Sequence, residues 1–130
     1  MNKSCICKIR KYYRAIVSFE MQLNKIAGIN LNEAMLLCLL SEHDKMSAGE
    51  LSAQLGLTPS NTSKVISNLE HNGLVRRMFC KEDGRSMLFR ITKKGTDKLN
   101  SICCDQVQIP EGLKALAQSA DDSPATATPQ

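Results

Sequence analysis

Residues 57–75, LTPSNTSKVISNLEHNGLV, combine a helical repeat of apolar positions with a start made almost wholly of small polar residues. Thr62, Val65, Ile66 and Leu69 recur at the spacing of one helix face, so a helix over this stretch turns them inward. Thr58 is placed as its N-cap, and Pro59 takes the first helical position, where a missing N–H costs nothing. Asn72 and Gly73 stop it. The opposite face then carries Ser60, Asn61, Ser63, Lys64, Ser67, Asn68 and His71. Such side chains compete with the backbone for hydrogen bonds and are poor choices for a helix interior, so their concentration here needs a reason.

The flanks supply context. Upstream, SAGELSAQLGL (47–57) carries a capping box, Ser47 with Glu50 three residues on, and an inner face of Ala48, Leu51 and Leu55 beside the small Ser52. Gly56 ends it. Two short capped helices joined at LGLT form a helix-turn-helix pattern. Downstream, LVRRMFC and MLFRIT are β-type runs on either side of KEDGRS, and Asp83-Gly84 is a favourable turn dipeptide. They predict a two-stranded wing. Arg76 and Arg77 fall on opposite faces of the first strand, so at most one of them can reach a phosphate.

Farther from the centre, Ile9, Tyr12, Tyr13, Ile16, Val17, Leu23, Ile26 and Ala27 predict one amphipathic helix over 8–27, ended by Gly28. In LNEAMLLCLLSEH (31–43), Asn32 is the expected N-cap. Met35, Leu36, Leu37, Leu39 and Leu40 make that helix apolar nearly all round, a central buried element with Cys38 as plain core. After the wing, Thr92 caps a helix through KKGTDKLNSICCDQV (93–107), with Leu99, Ile102, Cys103 and Val107 on one side. Pro110 starts a short helix, PEGLKALAQ, and the last residues, 119–130, lack the apolar content to fold. The fold class expected is mainly α with a small β wing.

Composition bounds the function. With 130 residues, 42% of them hydrophobic, there is material for one core but not comfortably for two. The net charge of +4 is unevenly spread: residues 1–14 hold five basic residues and no acidic one, and residues 58–98 hold nine basic against four acidic. Two basic segments suit an anionic partner such as nucleic acid. The longest apolar run, Ala34 to Leu40, is far short of a membrane span, and no apolar segment follows the basic start, so a cytoplasmic protein is expected. His43 and His71 lie in no metal or catalytic spacing, and no Gly-rich phosphate loop or G-x-S-x-G elbow is present. No enzyme and no cofactor are expected.

A helix entering the DNA major groove reads base edges with its N-terminal residues, and small hydroxyl and amide side chains there permit close approach. That accounts for Ser60, Asn61, Ser63 and Lys64, with Ser67 and Asn68 one turn on. An arginine at the wing turn can enter a narrow minor groove, where the potential is most negative; Arg85 is placed for this, with Asp83 to hold its guanidinium.

Taken together, LSAQLGLTPSNTSKVISNLEHNGLVRRMFCKEDGRSMLFRITKKG resembles the winged helix-turn-helix core of the MarR family of bacterial transcription regulators, the resemblance covering roughly Leu31 to Leu99. It implies a homodimer whose first and last helices intertwine, reading a pseudo-palindromic operator in double-stranded DNA, often as a repressor. It puts Ser60, Asn61, Ser63, Lys64 and Ser67 in the major groove and Asp83 with Arg85 at the minor groove. The implied organisation is an N-terminal dimerisation helix (1–30), a DNA-binding lobe (31–92), C-terminal dimerisation helices (93–118) and a disordered tail (119–130). It further implies a cleft for a small-molecule effector between dimerisation helices and lobe. The competing reading is a winged-helix protein-interaction module.

Six cysteines would suit disulfides only in a secreted chain. Inert thiols are the default. Cys5 and Cys7 beside Lys8, Arg10 and Lys11, with Cys103 and Cys104 on the late helix, leave two chemical alternatives open: an oxidant-sensing switch, or a thiolate metal site across a dimer, for which C-x-C and C-C are not zinc spacings.

Overall fold

The computed structural model describes residues 3–79 and 87–102. Within them the chain runs through α1 (Lys3–Ala27), α2 (Leu31–Glu42), β1 (Met46–Ser47), α3 (Ala48–Leu55), α4 (Pro59–His71), β2 (Val75–Phe79), β3 (Met87–Ile91) and α5 (Lys93–Ser101). The fold is mainly α with a small antiparallel sheet.

The helices begin where side chains take up their orphan N–H groups. Asn30, rather than the expected Asn32, caps α2: its Oδ1 accepts from the Glu33 N–H at 2.9 Å, and Glu33 Oε1 accepts from the Asn30 N–H at 2.8 Å. The reason is the reciprocal bond. Asn30 has a glutamate three residues on, whereas Asn32 has Met35, which can return nothing. The same box forms at Ser47 and Glu50, with bonds of 3.1 and 2.9 Å, and Thr58 Oγ1 accepts from the Asn61 N–H at 3.1 Å. Gly56 ends α3 in the left-handed region, φ 68°, where a side chain would strain the turn.

One core joins the lobe. Leu36, Leu37 and Leu40 of α2, Leu51 of α3, and Val65, Ile66 and Leu69 of α4 are buried with Leu74, Val75 and Phe89 of the wing base. The two helix-turn-helix helices are also joined by polar bonds: Ser52 Oγ donates to Thr62 Oγ1 at 2.8 Å, and Thr62 Oγ1 donates to the Thr58 carbonyl at 2.9 Å. Two expectations for α2 fail. Met35 and Cys38 are exposed, because the described residues pack on the side of α2 that carries Leu36, Leu37 and Leu40.

The sheet has a third strand that the sequence reading lacks. Its order is β1-β3-β2, with Met46 opposite Phe89 and Ser47 opposite Leu88. Two residues are too few to show a period of two. The extended backbone that Ser47 adopts as an N-cap is what lets the segment pair with β3. Between β2 and β3 the register sets Val75 opposite Ile91, Arg76 opposite Arg90 and Arg77 opposite Phe89.

Helix α1 starts at Lys3, five residues before the expected Lys8, and its 25 residues make a rod of about 37 Å. Among the described residues, the core takes in its C-terminal part, with Leu23 and Ala27 buried and Phe19 packed against the same cluster. Ile6, Ile9, Tyr12, Tyr13, Ile16 and Val17 are exposed. At the far side, α5 approaches so closely that a Cβ on Gly95 would overlap the Leu74 carbonyl and lie 2.8 Å from Ile91 Cγ1. Lys94 Nζ donates to the Asn72 carbonyl at 2.9 Å, and Lys98 Nζ donates to the Ala27 carbonyl at 2.8 Å. Two cations one turn apart on α5 thus bind the C-terminal ends of α4 and α1, where the carbonyls carry partial negative charge. The turn at Asp83-Gly84, Cys103, Val107, the stretch from Pro110 and the tail lie outside the described residues.

Candidate nucleic-acid interface

Helix α4 presents the polar face the sequence implies. Thr62, Val65, Ile66 and Leu69 are buried, while Ser60, Asn61, Ser63, Lys64, Ser67, Asn68 and His71 are all exposed. Four inward side chains fix the helix on the core, and each apolar one contributes about 1.5–3 kcal/mol relative to exposure. The outer side chains are therefore not needed for folding.

At the start of α4 most backbone donors are already engaged. The Asn61 N–H goes to Thr58 Oγ1, the Thr62 N–H goes to the Thr58 carbonyl at 2.9 Å, and Pro59 has none. Ser60 carries the remaining N–H of that first turn, beside its own hydroxyl, the Asn61 side-chain amide and the Ser63 hydroxyl. Donors grouped at the positive end of a helix suit phosphate or base oxygens. A crevice of about 410 Å³ opens next to them, lined by Ala48, Gly49, Ser52, Ala53, Leu57, Pro59 and Ser63. Its small side chains leave room for close approach of another backbone.

The basic residues sort into two groups. Arg77, Arg90, Lys94 and Lys98 are engaged within the fold. Arg77 pairs with Glu70 at 2.6 Å, Arg90 pairs with Asp44 at 3.0 Å, and the two lysines bind helix ends. Lys64, Arg76 and Lys93 are exposed and make no ion pair among the described residues. Arg76 and Arg77 do face opposite sides of β2, and Arg77 lies on the side of buried Val75 and Phe89. The Arg77 guanidinium beside Glu70 holds that carboxyl below its ordinary range, and Glu70 in turn raises Arg77.

Sequence reading missed these internal uses of charge. One signal was present: Glu70 stands in the last turn of α4, where the helix dipole disfavours an anion, so it needs a partner. For Asp44, Lys94 and Lys98 the partners are 22 to 71 residues away in sequence, and no local pattern announces them.

Of the remaining candidates, Cys5 and Cys7 are exposed on α1, and Cys38 is exposed with its Sγ 3.5 Å from Glu42 Oε1. Asp83, Arg85, Cys103 and Cys104 lie outside the described residues. Among those described, no group of three His, Cys, Asp or Glu could hold a metal ion, and no helix is long and apolar enough to cross a membrane. A second cleft, about 310 Å³, lies between the α1–α2 turn and α5, lined by Ala27, Gly28, Ile29, Asn72, Leu74, Lys94 and Lys98.

A capped short helix, a second helix with a polar outer face, and a strand pair closing behind them define a winged helix-turn-helix. The MarR family model matches residues 29–87. The crystal structure of the transcriptional regulator BldR from Sulfolobus solfataricus superposes with a TM-score of 0.69 at 27% identity, over 95% of this chain and 88% of that one. Sco3205, a MarR family transcriptional regulator from Streptomyces coelicolor solved in complex with DNA, gives 0.67 at 26% identity, over 97% and 80%. The HTH-type transcriptional regulator YdgJ of Bacillus subtilis (strain 168) is 30% identical over 74 residues, 57% of this chain and 45% of that protein. The chain spans less than half the length of the curated relatives it matches. The chain shares its fold with MarR-family winged-helix proteins and resembles them in sequence over this segment, and the relatives named are transcriptional regulators.

Proposed function

We propose that this chain is a sequence-specific DNA-binding transcriptional regulator. It acts in the cytoplasm as a homodimeric repressor on a pseudo-palindromic operator. The observation that carries the reading is the outer face of α4, where seven exposed polar or charged residues stand on a fully buried backing. A protein-binding surface would want aromatic or methionine anchors at its centre, and that face has none.

In this reading α4 enters the major groove by its N-terminal half. Ser60, Asn61, Ser63 and Lys64 meet bases and phosphates there, Ser67 and Asn68 follow, Arg76 reaches the backbone, and Asp83 with Arg85 serve the minor groove. Arg77, held by Glu70, leaves the list of direct contacts. The exposed apolar side of α1, from Ile6 to Val17, supports a second copy as its cover. Sco3205 was solved with DNA, and NadR, similar in fold, was solved with 4-hydroxyphenylacetate, which supports an effector for this chain as well. The exposed thiols Cys5 and Cys7 make an oxidant the other candidate signal.

An electrophoretic shift with the DNA upstream of the protein's own gene tests the reading. A discrete complex that survives excess unrelated DNA is expected, and Asn61→Ala should change the base preference of that complex. Absence of any complex overturns it.

A further inference from the structure

Glu70 is out of place by local rules, an anion in the last turn of α4. Its partner explains the choice. Glu70 Oε1 and Oε2 accept from Arg77 Nη2 and Nε at 2.6 and 2.7 Å, two parallel bonds of the kind that fix a guanidinium in direction as well as distance. Arg77 Nη1 lies 3.3 Å from Met87 Sδ, and Arg77 Cζ lies 5.8 Å from the centroid of the Phe89 ring. One cation therefore ties the end of α4 to both long strands of the wing. Arg76, its neighbour in sequence, faces the other way and makes no ion pair among the described residues.

We propose that Glu70 is a specificity-determining residue of the DNA interface, because it withholds Arg77 from phosphate while fixing the wing base to the recognition helix. The proposal rests on the DNA-binding reading given above. Background binding to any sequence grows with the number of phosphates neutralised, whereas base discrimination does not. Holding one half-exposed arginine per chain in this paired bond lowers the background and leaves Ser60, Asn61 and Ser63 unaffected. Glu70 acts through Arg77, so it is a positioning residue and not a DNA contact.

The test uses the full chain as wild type, Glu70→Gln, Arg77→Met and the double variant. Each is titrated by fluorescence anisotropy against a labelled mixed-sequence duplex of roughly 30 base pairs, between about 50 and 200 mM salt. Glu70→Gln should steepen the slope of log affinity against log salt by about 0.9 for each chain bound, as one freed guanidinium displaces counterion. Arg77→Met and the double variant should keep the wild-type slope. This arm decides the matter even if Glu70→Gln does not fold. The proposal is overturned if Arg77→Met flattens the slope, since Arg77 is then already on phosphate. It is equally overturned if folded Glu70→Gln matches wild type, or if the double variant keeps the steeper slope, since loss of a repelling carboxylate then explains it. Wild type that binds no duplex at all overturns the DNA-binding reading, and this proposal with it.

Discussion

Thr62 is a hydroxyl residue with 0% exposure, in the middle of the helix that carries the candidate contacts. Its side chain belongs to the joint between α3 and α4, accepting from Ser52 and donating to the Thr58 carbonyl. Replacing it by valine keeps the shape and removes both bonds. Thr62→Val should lower stability by about 1–2 kcal/mol, the cost of leaving a half-buried Ser52 hydroxyl without its acceptor. Urea unfolding would show this as a lower midpoint at unchanged slope. An unchanged midpoint would mean that Ser52 turns to water at no cost. Helical periodicity is enough to predict that Thr62 points inward, but not that it bonds to Ser52, because that partner lies on another helix.

Helix α4 keeps the residues that fold it on one face and its exposed polar residues on the other. Asn61 lies on the outer face, its side chain exposed while its N–H is held by Thr58. Asn61→Ala should leave the melting temperature within a degree or two, as exposed surface changes do, yet relax base preference at one operator position by about 1–3 kcal/mol. Binding measured against single-base operator variants checks both halves. Equal loss on every variant would reduce Asn61 to a phosphate contact. The helix-turn-helix and the wing strands are legible because caps, inward apolar spacing and a turn dipeptide all lie within a few residues of each other. Strand β1 is not, since two residues carry no period, and the α2 cap is obscured by a second asparagine, Asn32, two residues beyond Asn30. Charge was the least legible feature. Four of the nine basic residues between 58 and 98 are engaged by other groups of the chain, Glu70, Asp44 and two helix ends, and only the tertiary structure brings those groups together.

Helix α1 leaves much of its apolar side uncovered by the described residues. Its outer two-thirds present isoleucine, valine and tyrosine to solvent, a patch that a folded chain rarely leaves bare. A second copy supplies the same patch in return, as a two-fold contact requires. Sedimentation at micromolar concentration should therefore report a dimer, and Tyr12→Glu with Ile16→Glu should dissociate it while each lobe stays folded. A wild-type monomer would contradict this. A dimer would also carry two α4 helices, expected about 34 Å apart to meet one turn of DNA.

Binding of nucleic acid by this surface through charge as well as shape should make affinity depend steeply on salt. If Lys64, Arg76 and Lys93 of both chains of the proposed dimer meet phosphate, roughly six phosphates are neutralised. Affinity for a specific duplex should then fall about a thousandfold between 50 and 200 mM salt. A titration in which affinity scarcely changes over that range, or in which no complex forms at the lower salt, would contradict the account.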